Sequence, residues 1–210
     1  MHLRNSRAAL PRSFRLAVLA VCIAFSLAPT EALCGTQLPT GAAAVPPAGF
    51  LGFCVRHLRE CATKSAEAEV VELTPARERE LREVQQSVNA SIRPVEDPTH
   101  SWEYSTDGTG DCNRFALAKL RDLLARGWPR SSLLLATAVT ERGEGHLVLV
   151  ARTDRGDIVL DNRLGHPAPW SELPYRWVSV QSPQSPVQWL AVLNRPPAAP
   201  NTAGAVQGSP

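Results

Sequence analysis

The spacing of apolar positions along this 210-residue chain changes period once, near Pro129. Before that point it is helical. Leu81, Val84 and Val88 lie on one stripe behind Thr74 and Pro75, which predicts a helix from about Thr74 to Ile92. Thr74 serves as its N-cap, Pro75 takes the first helical position and Glu78 closes the capping pattern. Pro94 marks the exit, and residues 93 to 111, with Pro94, Pro98, Gly108 and Gly110, read as a loop that carries Trp102 and Tyr104. Asp111 can cap a second helix from Cys112 to about Arg126. Its Phe115, Leu117, Ala118, Leu120, Leu123 and Leu124 suit burial, and Gly127 ends it. Beyond Pro129 the period is two. Leu133 to Thr140, His146 to Thr153, Asp157 to Arg163, Tyr175 to Ser182 and Gln188 to Asn194 read as strands between turn residues, which implies a mainly antiparallel sheet.

The two ends have a different character. Arg4, Arg7, Arg12 and Arg15 precede the uncharged run Leu16 to Pro29, and Thr30-Glu31-Ala32 supplies small residues at a cleavage point. Residues 1 to 32 therefore read as a cleaved export signal, and the apolar run is shorter than the roughly 20 residues that span a bilayer. Residues 33 to 49 are mostly Ala, Pro, Gly and Thr and read as a flexible linker, with order beginning near Phe50. The tail from residue 196 reads as disordered, so one domain is expected over residues 50 to 195. The leader holds four of the 22 Lys and Arg and one of the 20 Asp and Glu, which leaves 18 against 19 and a net charge near −1. Such a domain has no electrostatic case for nucleic acid or anionic lipid.

Export permits disulfides, and Cys34, Cys54, Cys61 and Cys112 remain after cleavage. Cys54 and Cys61 are the natural pair, with Cys34 a bystander in the linker. One straight helix would hold the pair's Cα atoms about 10 Å apart, beyond disulfide reach, so the bond demands a bend. A rival reading makes Cys54, His57 and Cys61 metal ligands, although a fourth ligand is missing.

The candidate chemistry lies in Gly110-Asp111-Cys112, Gly145-His146 and Leu160-Asp161-Asn162. If Thr153 to Gly156 form a four-residue turn, paired residue numbers sum to about 309, so His146 faces Arg163 and Asp161 lies two positions away on the same face. That diagonal is roughly 7 to 8 Å, which His and Asp side chains can bridge. Packing the Cys112 helix across the same face would complete a Cys-His-Asp triad. A thiol attacks only as thiolate, and a helix N-terminus and a neighbouring imidazolium both favour that form. In this scheme Cys112 is the nucleophile, His146 the acid and base, and Asp161 its orienter. The N–H of Cys112 is the first oxyanion donor, with Trp102 the candidate for a second donor or a substrate contact. Asp111 is a helix cap and a candidate metal carboxylate. Singly, each residue has a plainer reading, as a small buried thiol, a strand-opening His and a turn Asp. Their occurrence together, in this order, favours the site.

The segments Gly110-Asp111-Cys112, Ala116-Leu117-Ala118-Lys119, Arg126-Gly127-Trp128-Pro129, Gly145-His146-Leu147-Val148-Leu149 and Val159-Leu160-Asp161-Asn162 resemble the bacterial transglutaminase-like cysteine peptidases. The similarity runs from about Phe50, through Cys54, Cys61 and Leu73-Thr74-Pro75, to the strand from Tyr175 to Val178 and Trp189. The resemblance implies a papain-like, transglutaminase-core α+β fold, with the nucleophile helix packed on an antiparallel sheet. It also implies a periplasmic or secreted location and the triad Cys112, His146 and Asp161. The implied partner is a protein substrate, since the best-known branch cleaves large surface adhesins under the restraint of an inner-membrane cyclic-di-GMP receptor. That branch binds calcium beside the nucleophile, although the chemistry itself requires no cofactor. This chain departs from the pattern there. Where the family commonly has Glu-Asp-Tyr, it has Asn113-Arg114-Phe115, which removes hard oxygen charge, adds a cation that opposes calcium, and leaves Asp111 as the acidic candidate in the motif. The same thioester chemistry would serve a transglutaminase or deamidase, and the altered residues leave room for a non-enzymatic binding module.

Overall fold

The computed structural model describes residues 37–62 and 69–194. The expected export signal, Cys34 and the tail lie outside the described residues. The helices are α1 (Phe50–Arg56), α2 (Leu58–Cys61), α3 (Pro75–Ser91) and α4 (Cys112–Ala125). The strands are β1 (Thr40–Ala44), β2 (Arg93–Pro94), β3 (Thr109–Gly110), β4 (Leu133–Val139), β5 (Gly145–Thr153), β6 (Gly156–Leu160), β7 (Ala168–Pro169), β8 (Arg176–Ser182) and β9 (Ser185–Val192). Seven of them form one sheet in the order β1-β9-β8-β4-β5-β6-β7, in which every neighbouring pair is antiparallel. β2 and β3 make a separate parallel pair. The fold is α+β. Among the described residues no helix is long and apolar enough to cross a membrane.

The two long helices begin where their caps dictate. Thr74 Oγ1 accepts the N–H of Arg77 at the start of α3, and the Asp111 carboxylate accepts the N–H groups of Asn113 and Arg114 at the start of α4. Glu78 does not complete a capping box. It stands one position beyond the third helical residue and pairs forward with Arg82. Gly127, at φ 80°, ends α4 in the left-handed region that glycine enters without strain.

Residues 40–44, expected within the linker, form the edge strand β1. Its Ala and Gly side chains produce no apolar alternation, so the segment is held by other means. Thr40 pairs with Val192 and Ala44 with Trp189 on β9. Just before the strand, Leu38 is buried and its N–H donates at 2.9 Å to the buried carboxylate of Asp157, which also pairs with Arg152. Backbone hydrogen bonds and one inserted leucine do here what a hydrophobic face does elsewhere.

Each face of the sheet carries its own core. Leu147, Leu149 and Ala151 of β5 look toward α1, α3 and α4, where Phe50, Val84 and Leu120 are fully buried. The alternate residues, Val148 and Val150, pack on the opposite face with Val159, Trp170, Trp177 and Val180. Near the sheet's β9 side, His57 breaks the helix between α1 and α2 with φ −124° and ψ 65°. This is the bend the cysteine pair requires: the Cα atoms of Cys54 and Cys61 come to 5.4 Å and the sulfurs are bonded. The rival metal reading of Cys54, His57 and Cys61 falls with it, because the sulfurs bind each other and His57 Nε2 lies 2.6 Å from Glu103.

Candidate active site

The 309 register holds through the β5–β6 hairpin, from Thr153 opposite Gly156 to Leu149 opposite Leu160. The ladder then stops, so His146 never pairs with Arg163. Asp161 instead opens a turn, in which its carboxylate accepts the N–H of Arg163 at 2.9 Å and its carbonyl accepts that of Leu164. His146 and Asp161 meet all the same, with His146 Nε2 2.8 Å from Asp161 Oδ1.

The expected packing of the Cys112 helix across the His146 face is corrected by the structure. α4 packs on the face of Leu147 and Leu149, whereas alternation assigns His146 to the side of Val148 and Val150. The groups converge at the end of the sheet. β4 and β6 finish there, β5 and β8 start there, and the first turn of α4 brings Cys112 to the same margin, where its thiol donates to Asn113 Oδ1 at 3.9 Å and it acts on the charge of the imidazole. At a strand end the chain is no longer flanked on both sides, and a side chain can reach around the edge. Cys112 is half-buried and is the one free cysteine among the described residues.

Burial by itself would pull the His146 pKa down. The hydrogen bonds and charges of Asp161 and Cys112 outweigh it, and the value rises from 6.5 to about 9. Burial would likewise raise the Asp161 carboxyl. The bond and charge of His146, the N–H of Arg163 and the hydroxyl of Tyr175 overcome it, and the carboxyl sits below its usual 3.8. The two groups therefore face each other as an imidazolium and a carboxylate through neutral pH.

Tyr175 was not among the residues singled out for the site. Its hydroxyl donates to Asp161 Oδ2 at 2.5 Å, and its ring stands edge-on to His146 with centroids 5.7 Å apart. It precedes β8 at the same sheet margin, and no spacing to His146 or Asp161 in sequence marks it. Gln85 and Asn89 were also missed. From α3 they donate to the Asp161 carbonyl at 2.6 and 3.4 Å and to the Leu164 carbonyl at 2.8 and 3.0 Å. Here a signal existed: Gln85 is a polar residue on the apolar stripe of Leu81, Val84 and Val88, and it is fully buried. Replacing Tyr175 by Phe is expected to lower stability by about 1 to 2 kcal/mol, since a half-buried hydrogen bond to a charged acceptor is lost. It is also expected to move the His146 titration upward, because Asp161 then concentrates its charge on the imidazole. Urea denaturation and NMR titration of the ring check the two effects.

Trp102 belongs to the core cluster against which Cys112 packs. Its ring is buried edge-on against Phe50 at 5.4 Å, and its carbonyl accepts from Arg56 at 3.0 Å. These contacts fix the ring within the core. Asp111 acts as the cap of α4, with burial raising its carboxyl pKa above the usual 3.8.

Residues 40–196 match the model of the bacterial transglutaminase-like cysteine proteinases. The chain belongs to this family, and it is a cysteine peptidase. Comparison with curated proteins gives no match. Among solved structures, the chain is similar to calcium-bound LapG of Legionella pneumophila, at 23% identity over 57% of this chain and 71% of that one, with a TM-score of 0.49. It is also similar to the EGTA-treated form of the same protein, at 24% identity over 57% and 69% of the two chains, with a TM-score of 0.47.

Proposed function

We propose that this protein is an exported cysteine endopeptidase in which Cys112, His146 and Asp161 act as a catalytic triad on a protein substrate. The observation that carries the reading is the convergence of Cys112 on a His146 ring whose Nε2 lies 2.8 Å from Asp161 Oδ1 and whose pKa Cys112 and Asp161 together raise. With Nε2 committed to Asp161, the other ring nitrogen, Nδ1, is left for the thiol. Cys112 Sγ attacks the scissile carbonyl carbon, and His146 delivers the proton taken from the thiol to the departing amine. Water then attacks the thioester, gives a proton to His146, and the returning proton frees the sulfur. Asp161 holds the ring and balances its charge. Asp111 occupies the N–H groups of Asn113 and Arg114, so the N–H of Cys112 is the first-turn donor for the oxyanion.

Export through a signal over residues 1 to 32 is supported by the basic and apolar order of that segment and by the Cys54–Cys61 bond, which suits an oxidising compartment such as the periplasm. A surface adhesin is the substrate we infer, with an inner-membrane receptor as regulator, by analogy with the branch it resembles. A calcium requirement does not fit this chain. Asp111 is spent on the helix cap, Asp97 faces the guanidinium of Arg114, and among the described residues no three acidic, His or Cys side chains gather for a metal. The chemistry above runs on protein groups alone. The test compares surface and secreted proteins of a wild-type strain with those of a Cys112→Ala strain. New N-termini present only in the wild type are expected. If no terminus differs, the endopeptidase reading fails, and isopeptide cross-links or deamidated glutamines in its place would turn the assignment to acyl transfer.

A further inference from the structure

We propose that Arg114 is a built-in cation that clamps the loop of residues 95 to 108 onto the first turn of α4, so that the order of this loop is independent of divalent metal. The loop is a long excursion. Its base is closed by β2 and β3, through the Arg93 and Val95 N–H groups on the carbonyls of Gly108 and Gly110 at 2.8 and 2.9 Å. Its far part is tied to α1 and α2, where Arg56 and His57 hold Glu103 and Glu60 accepts from Tyr104.

Between these two anchorages, Asp97 organises the chain from inside. Its Oδ1 accepts the N–H and the hydroxyl of Thr99 at 2.9 and 2.5 Å, and its Oδ2 lies 3.3 Å from the N–H of Ser101. Arg114 reaches the same carboxylate from α4, with Nη1 3.1 Å from Oδ2. The pair is well shielded, with side-chain exposures of 23% for Arg114 and 12% for Asp97. Gly110 makes the reach feasible. A Cβ built there would stand 2.6 Å from Arg114 Cδ and 2.7 Å from its Cβ, so the arginine stem lies directly against the glycine backbone.

The charge pattern around the guanidinium points the same way. Asp97, Asp107 and Asp111 all feel Arg114 as a stabilising charge, and Asp97 raises the carboxyl of Asp111. Arg114, two residues after Cys112, is the cation that all three of these carboxylates feel. The clamp is a positioning device, and it fixes the loop against the helix that presents the sulfur.

The inference does not require the triad to be correct, and hydrogen exchange can test it without a substrate. Peptides spanning residues 95 to 105 are followed by mass spectrometry in the full chain, with EDTA and with excess calcium chloride. The wild type is expected to exchange identically in both. Arg114→Gln is expected to exchange about ten-fold faster in this segment, as loss of a partly shielded ion pair would give, while β4 and β5 stay protected. Asp97→Asn keeps the arginine and tests the other half of the clamp should the first variant fold poorly. It is expected to show a similar gain, and the double variant no more than the larger single one. Protection that follows calcium in the wild type, or unchanged exchange in both single variants, overturns the proposal. Iodoacetamide reactivity of Cys112, read on the same samples, shows separately whether the site itself behaves as proposed.

Discussion

Exchanging His146 for Ala is expected to slow alkylation of Cys112 by iodoacetamide at neutral pH by about an order of magnitude or more, and turnover of an accepted peptide bond by about two to four orders. In the proposed mechanism the ring has two tasks. It stands beside the sulfur as a cation, which favours thiolate, and it carries the proton to the leaving amine. Alanine removes both, whereas Asp161→Asn keeps the shape of the ring's partner and removes only its charge, so an intermediate loss is expected. The wild-type dependence on pH follows from the ring: its pKa is raised to about 9, so the imidazolium persists through neutrality and is lost as pH rises through that value. The stability it lends is complete below 6.5, its ordinary value, and disappears across the same rise. Peptide-level mass spectrometry, read at Cys112, gives the rates. Equal rates in the wild type and both variants would mean that the imidazole does not act on the sulfur at all.

Much of this arrangement was legible before any coordinates. The α3 and α4 boundaries follow from Thr74, Pro75, Asp111 and Gly127, whose local chemistry permits few alternatives, and the β5–β6 register follows from one turn that ends in Gly156. What escaped had physical causes. β1 has almost no side chains to betray it, and its order comes from β9 and Leu38. Period-two reasoning placed His146 and Asp161 on a common face and then assumed that α4 covers that face. Alternation cannot say which side a helix will choose, and it loses its meaning past Leu160, where the ladder ends. Tyr175 could not be found from spacing because its link to Asp161 depends on two strands, β6 and β8, that share a sheet margin without being neighbours.

Lys119 is a buried group whose charge opposes the stability of the fold. It lies two turns beyond Cys112 on α4, fully buried, with its ammonium 5.9 Å from the Phe115 ring centroid and no hydrogen-bond partner among the described residues. Burial lowers its pKa from 10.5 to about 7, against the opposing pull of Asp161. An unfolded lysine keeps its proton up to 10.5, whereas the folded one gives it up near 7. Between these values the unfolded chain binds more protons, so stability rises with pH across that interval, and below it the full penalty is present. Lys119→Met keeps the length of the side chain and removes the charge. The variant is expected to be more stable than the wild type below neutrality, by on the order of 4 kcal/mol at most, with the difference closing toward pH 10. Urea denaturation at a series of pH values measures the two curves. Parallel curves would show that the folded lysine keeps its ordinary pKa, its charge compensated by Asp161 or solvated by water. A converging pair would show that the buried ammonium destabilises the fold until it gives up its proton, against the pull of Asp161.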